Sequence, residues 1–111
     1  MSKFDLNTFN ALKESAGEDF INELIDTFLE DTPTLLAQLH SALASQDADT
    51  FRRAAHSMKS NAATFGAMEL STLAKELENF GRDKNLEIGN RLEVMEAAFL
   101  DVKNQLEALK V

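Results

Sequence analysis

Asp49 to Phe65 reads DTFRRAAHSMKSNAATF. Phe51, Ala54, Ala55, Met58, Ala62 and Phe65 fall at the spacing of one apolar stripe on an amphipathic helix. At about 100° per residue, His56 points about 150° from the middle of that stripe, away from the core. The same outward sector holds Arg52 one turn earlier, Lys59 and Ser60 three and four residues later, and then Ala63. An imidazole on the solvent side therefore stands among cations, with small side chains on its C-terminal side.

Two readings fit this helix. In one, its outer face is simply solvated, and the histidine does nothing. In the other, the imidazole is reactive: accessible, flanked by positive charge, and open to a large partner. Phosphoryl transfer to histidine asks for a free ring nitrogen, nearby donors for the phosphoryl oxygens and no bulk in the way. Lys59 lies within helical reach of His56. Ser60, Asn61, Ala62 and Ala63 bring no large side chain.

The flanking sequence is helical as well. A short first helix is predicted over about 7–15, with Leu6, Phe9 and Leu12 on one side and Gly17 as its stop. A second region, 18–45, carries Phe20, Leu24, Ile25, Phe28 and Leu29, then Leu35, Leu36, Leu39 and Leu43. Pro33 interrupts it, so either one bent helix or two helices capped at Thr32 is expected, and the continuing stripe favours the first. His40 in this region has no metal-ligand spacing around it and reads as a surface or half-buried structural histidine. A polar connection leads to Asp47, the expected N-cap of the His56 helix at 47–65. The fourth helix is predicted at 67–80, with Leu70, Leu73, Ala74, Leu77 and Phe80 as its stripe. Lys75 and Glu78 lie on its polar face beside the site, and for Glu78 a solvated position is the preferred reading. GRDKNL, 81–86, reads as a polar hairpin loop. A fifth helix over 87–109 repeats Ile88, Leu92, Met95, Phe99, Val102, Leu106 and Leu109 in steps of four and three, the pattern of a bundle seam. No strand pattern appears. The fold class is all-α: an antiparallel up-and-down four-helix bundle with a short N-terminal capping helix, in a single domain over 1–111.

Composition narrows the function. The 111 residues contain no cysteine, which excludes disulfides and thiolate metal sites. A formal net charge of −8 argues against a nucleic-acid or anionic-membrane binder, whose affinity would rest on neutralising phosphates. Between Thr50 and Met68 there is no acidic residue, while Arg52, Arg53 and Lys59 all fall there. Such a patch suits one anionic docking partner. The N-terminus has no apolar signal region, and no run approaches the roughly 20 apolar residues of a membrane helix, so a cytoplasmic location is expected.

The run from Ala54 to Glu78, AAHSMKSNAATFGAMELSTLAKELE, resembles the histidine phosphotransfer (HPt) domain of multi-step two-component phosphorelays. That family's pattern, A-H-x-x-K-G/S followed by small residues, a glycine and a leucine-rich helix, is met by Ala55, His56, Lys59, Ser60, Gly66, Leu70, Leu73, Ala74 and Leu77. The upstream run FLEDTPTLLAQLHSALASQDADTFRRAAH is similar too, so the resemblance spans nearly the whole chain. Two positions depart from the pattern: Ser60, where glycine is commoner, and Glu78, where some members carry an amide or a basic residue.

The resemblance implies a phosphorelay intermediate. A response-regulator receiver domain carrying phosphoaspartate docks over His56, the imidazole takes the phosphoryl group, expected on Nε2, and a second receiver removes it. A hybrid sensor histidine kinase is the other implied partner. Lys59 would pair with the phosphoryl oxygens. Arg52 and Arg53 would hold the partner's acidic rim, Ser60 and Ala63 would matter by being small, and Lys75 would have a minor electrostatic role. The Mg²⁺ of the reaction belongs to the receiver, and no metal or other cofactor is expected on this chain. With no nucleotide-binding motif, it should be a carrier without kinase activity of its own, working as a monomer. Both a free-standing protein and a domain of a hybrid kinase fit. An adaptor that docks receivers without accepting phosphate is the alternative. A metal- or ligand-binding bundle is a third reading, lacking any inward cluster of carboxylates and histidine.

Overall fold

The computed structural model describes residues 4–110. Among them the helices are α1 (Leu6–Ala16), α2 (Glu18–Ser45), α3 (Ala48–Phe65), α4 (Met68–Arg82) and α5 (Arg91–Ala108). Each start has a local cause where a short acidic side chain precedes it. Asp5 caps α1 by accepting the Asn7 and Thr8 amides. Asp47 caps α3, its carboxylate taking the Thr50 amide at 3.1 Å and the Thr50 hydroxyl at 2.7 Å.

The apolar stripe of α3 buries as a unit. Phe51, Ala54, Ala55, Met58, Ala62 and Phe65 all lie in the core. Burying a side chain such as Phe51 or Met58 contributes about 1.5–3 kcal/mol. α2 packs on α3, α3 on α4, α4 on α5, and α5 returns to α2. That ring is the expected four-helix bundle. α1 closes one end of it, packing on α2 and α3. Its approach is tight: the Asp5 amide donates to the Gly66 carbonyl at 2.6 Å. Gly66 has φ +86°, and a Cβ there would lie 2.3 Å from the Asp5 carbonyl oxygen, so only glycine allows both the turn and the docked segment.

α2 runs unbroken through Pro33 for 28 residues. At 1.5 Å per residue it is about 42 Å long, the full length of the molecule. The Thr32 hydroxyl, buried beside the proline, donates to the Phe28 carbonyl at 2.8 Å and needs no other partner. Thr32 is thus a core residue inside one helix rather than a cap between two.

Several expectations need correction. Phe20 and Leu6 are about half exposed. In α2 it is Ile21, not Phe20, that stays in phase with Ile25, Phe28, Leu36 and Leu39; one residue is 100° of rotation. α4 does not stop at Phe80 but continues through Gly81 to Arg82. α5 starts at Arg91, not near 87. Lys84 adopts a left-handed conformation, and the Asn85 side chain accepts the Glu87 amide at 3.1 Å, which holds the intervening chain in turns. Ile88 is buried as expected, yet from this loop, so its four-residue step to Leu92 is not a helical step. The seam proper is Leu92, Met95, Phe99, Val102 and Leu106.

Candidate functional site

α3 presents His56 at mid-helix on the side opposite its buried stripe. The imidazole is 55% exposed. Across from it, on α4, stands Glu78, whose side chain is only 6% exposed. Glu78 Oε2 lies 2.7 Å from His56 Nδ1. Its other oxygen, Oε1, accepts from the Lys59 ammonium, also at 2.7 Å. One buried carboxylate thus holds both residues that the HPt pattern singles out. The solvated position expected for Glu78 is overturned.

The charge state of Glu78 decides the chemistry. Lys59's hydrogen bond, helped by that of His56, holds this carboxyl below the usual range against the opposing effect of burial. An ionised carboxylate can only accept, so Nδ1 carries the hydrogen and donates it. In the neutral ring Nε2 is then the nitrogen with the free lone pair.

Two contacts let α4 come this close. A Cβ on Gly81 would lie 2.8 Å from the Arg52 Cβ and 2.9 Å from its Cα. Glycine at 81 therefore permits α3 and α4 to touch near the site, three residues after Glu78. Toward the other end the Ser71 hydroxyl donates to the Lys59 carbonyl at 3.0 Å.

The surrounding cations divide unequally. Arg52 donates to Asp49 Oδ1 at 3.1 Å, and Arg53 donates to Asp49 Oδ2. Arg52, then Arg53, hold the Asp49 carboxyl below its usual range. Asp49 lies just before the acid-free stretch and softens its positive charge at the N-terminal end. Ser60 is exposed and Ala63 half-buried, so the surface beyond His56 is low. Lys75 is exposed and is not brought into the His56–Glu78–Lys59 group. Arg82 is: its guanidinium lies 4.0 Å from Glu78 Oε2 and is 62% exposed. The sequence reading missed Arg82 by ending α4 at Phe80, although its i+4 spacing from Glu78 was a signal. His40 pairs through Nε2 with Glu96 at 3.1 Å on the α2–α5 side. Among the described residues no cluster of three or more histidine or acidic side chains could hold a metal ion. None of the described helices is long and apolar enough to cross a membrane.

Residues 23–111 match the model of the Hpt domain. The chain belongs to that family. Hpt domains are phosphocarriers rather than kinases. Histidine-containing phosphotransfer protein B (HptB) from Pseudomonas aeruginosa PAO1 has a similar structure. Its TM-score is 0.88 at 32% identity, over 97% of this chain and 94% of that one. Histidine-containing phosphotransfer protein 1 of Arabidopsis thaliana is 26% identical over 102 residues, and sensor protein TorS of Escherichia coli (strain K12) is 32% identical over 74. Those alignments take in 88% and 67% of this chain, but only 66% of the plant protein and 8% of the sensor protein. The family match and these relatives support a phosphotransfer role in a phosphorelay, among two-component partners. The first Hpt helix here, α1, lies outside the matched residues.

Proposed function

We propose that this Hpt domain carries a phosphoryl group on His56 Nε2 between phosphoaspartates of response-regulator receiver domains, one of them supplied by a hybrid sensor histidine kinase. One observation carries the reading: the buried Glu78 carboxyl lies 2.7 Å from Nδ1 of an otherwise exposed imidazole, which leaves Nε2 for the phosphoryl group.

In the forward step Nε2 attacks phosphorus. The Nε2–P bond forms while the P–O bond to the partner's aspartyl carboxyl breaks, and its electron pair leaves on that carboxylate. Nδ1 keeps its hydrogen throughout, and Glu78 faces the positive charge that the ring acquires. In the return step a carboxylate oxygen of the acceptor's aspartate attacks phosphorus. The O–P bond forms as the Nε2–P bond breaks, and its electron pair goes back to nitrogen, regenerating the same neutral tautomer. Neither direction moves a proton. Lys59, three residues along α3, is the donor for the phosphoryl oxygens. Arg52 and Arg53 hold the partner's acidic rim, Ser60 and Ala63 leave it room, and Lys75 adds only long-range positive charge. Mg²⁺ comes with the receiver's acidic pocket. The domain works in the cytoplasm, as a monomer whose apolar stripes are used by its own core, without kinase activity of its own.

The test mixes the protein with a panel of labelled, phosphorylated receiver domains and Mg²⁺, using wild type and His56→Gln. An acid-labile, base-stable adduct on the wild type alone is expected, and ATP with Mg²⁺ alone should give no label. Docking without transfer from any receiver would leave an adaptor, and equal labelling of both proteins would move the site elsewhere.

A further inference from the structure

Glu78 does more than orient His56: it also takes the lysine that the phosphoryl group needs. Lys59 Nζ sits 2.7 Å from Glu78 Oε1, and its side chain is 30% exposed. Its four-carbon stem can turn the ammonium outward, toward a group on Nε2. A phosphoryl group there and the buried carboxylate would draw on the same ammonium from opposite sides of the ring. Lys59 cannot turn outward without leaving a buried anion short of a partner, which is costly. Arg82 is placed to ease that loss, because its guanidinium already stands 4.0 Å from Glu78 Oε2.

We propose that Glu78 is a positioning residue that competes with the phosphoryl group for Lys59, so that the charged carrier is held weakly and discharges readily, with Arg82 as the replacement partner for Glu78 when Lys59 turns outward. The inference rests on the reading of His56 as the carrier residue. It assigns to the His56–Glu78–Lys59 group the setting of transfer potential, beyond the choice of ring nitrogen.

Glu78→Gln separates the two roles. A glutamine oxygen still accepts from Nδ1, so the tautomer is retained, while the neutral amide releases Lys59. The measurement is the equilibrium partition of label between the fastest-transferring receiver of the panel and this protein. Because E78Q also removes the charge that faces the phosphorylated ring, the quantity read is the coupling to Lys59. E78Q is expected to move the partition about tenfold further toward the phosphorylated carrier with Lys59 present than without it, the worth of one charge-assisted hydrogen bond. The hydrolytic lifetime of the phosphohistidine in the isolated carrier should show the same dependence on Lys59. In a Lys59→Met background the same substitution, acting through the ring charge alone, should move the partition toward discharge. Arg82→Met, at an exposed position where folding is not at risk, should shift the partition the other way by about twofold, and should do nothing once Lys59 is methionine. An E78Q shift of the same size and direction with and without Lys59 would overturn the proposal. Should E78Q not fold, R82M decides: an effect that survives Lys59→Met overturns it. His56→Gln takes no label in any of these backgrounds. Label on His56→Gln would overturn the site reading itself, whereas a silent His56→Gln with an E78Q effect that does not depend on Lys59 removes only this inference.

Discussion

The molecule has two imidazole–carboxylate pairs that bridge helices, and they are built differently. His40 on α2 meets Glu96 on α5 through Nε2 at 3.1 Å, with both side chains about half exposed. His56 on α3 meets Glu78 on α4 through Nδ1 at 2.7 Å, with the imidazole exposed and the carboxylate buried. At His40 the outer nitrogen is already taken and the acid is wet. At His56 the inner nitrogen is taken, the outer one is free, and the acid is fixed by a second cation. The lesson is that exposure of a histidine says little. What matters is which nitrogen its partner occupies and whether that partner is itself held.

Exchanging each histidine for glutamine tests the contrast most strongly. H56Q is expected to lose phosphoryl uptake by at least on the order of 100-fold, while H40Q stays within about twofold in the same receiver assay. Next is the close approach that makes the buried pair possible. Gly81→Val, which forces α4 off Arg52, should cost about 1–3 kcal/mol in urea unfolding and slow transfer, although position 81 touches no reacting atom. The carboxylates come third. Glu78→Ala should cost about 1–3 kcal/mol, because it strips a buried acceptor from Lys59 and His56. Glu96→Ala, at an exposed pair, should cost less than about 0.5 kcal/mol.

The acid limb of the stability curve sharpens the same point. The pKa of Glu78 is lowered in the fold from its ordinary 4.5. Its contribution is therefore full above that value and is lost as pH falls below it toward the folded-state pKa. Denaturant titrations of E78Q should show a flatter loss of stability below pH 4.5 than wild type. The smallest effect is expected at the rim. Asp49→Asn frees Arg52 and Arg53, and should raise the association rate with an acidic receiver by about two- to threefold at low salt, with the gain disappearing as salt is added.

Much of this was legible in the sequence, and the reasons for the rest are specific. The stripe of α3 could be read because all six of its members are apolar and in phase, which also fixed His56 as outward. The bundle followed from four such stripes and short connections. At the start of α2, Phe20 and Ile21 are adjacent and both apolar, so composition could not choose between them, and packing chose Ile21. The α5 seam began too early because a turn happened to set Ile88 four residues before Leu92. Glu78 was misplaced because a carboxylate on a helix is normally solvated. Yet it continues the row Leu70, Ala74 at steps of four, and Gly81 lies one turn after Leu77. A row of buried positions running through an acid and a glycine was the available sign that α4 approaches another helix there. The partner of that acid is set by tertiary contact, which the spacing of one helix does not carry.

Placing His56 at the midpoint of a regular helix, on the outside of the bundle, has a consequence for traffic. A post of this kind offers a single berth. On the proposed reading, the donor receiver and the acceptor receiver must cover the same few square nanometres around His56, so one has to leave before the other arrives. The cargo then spends the interval uncovered in water. Throughput becomes a matter of residence times on either side of that interval, and a relay built on this domain would slow down if its partners bound too well.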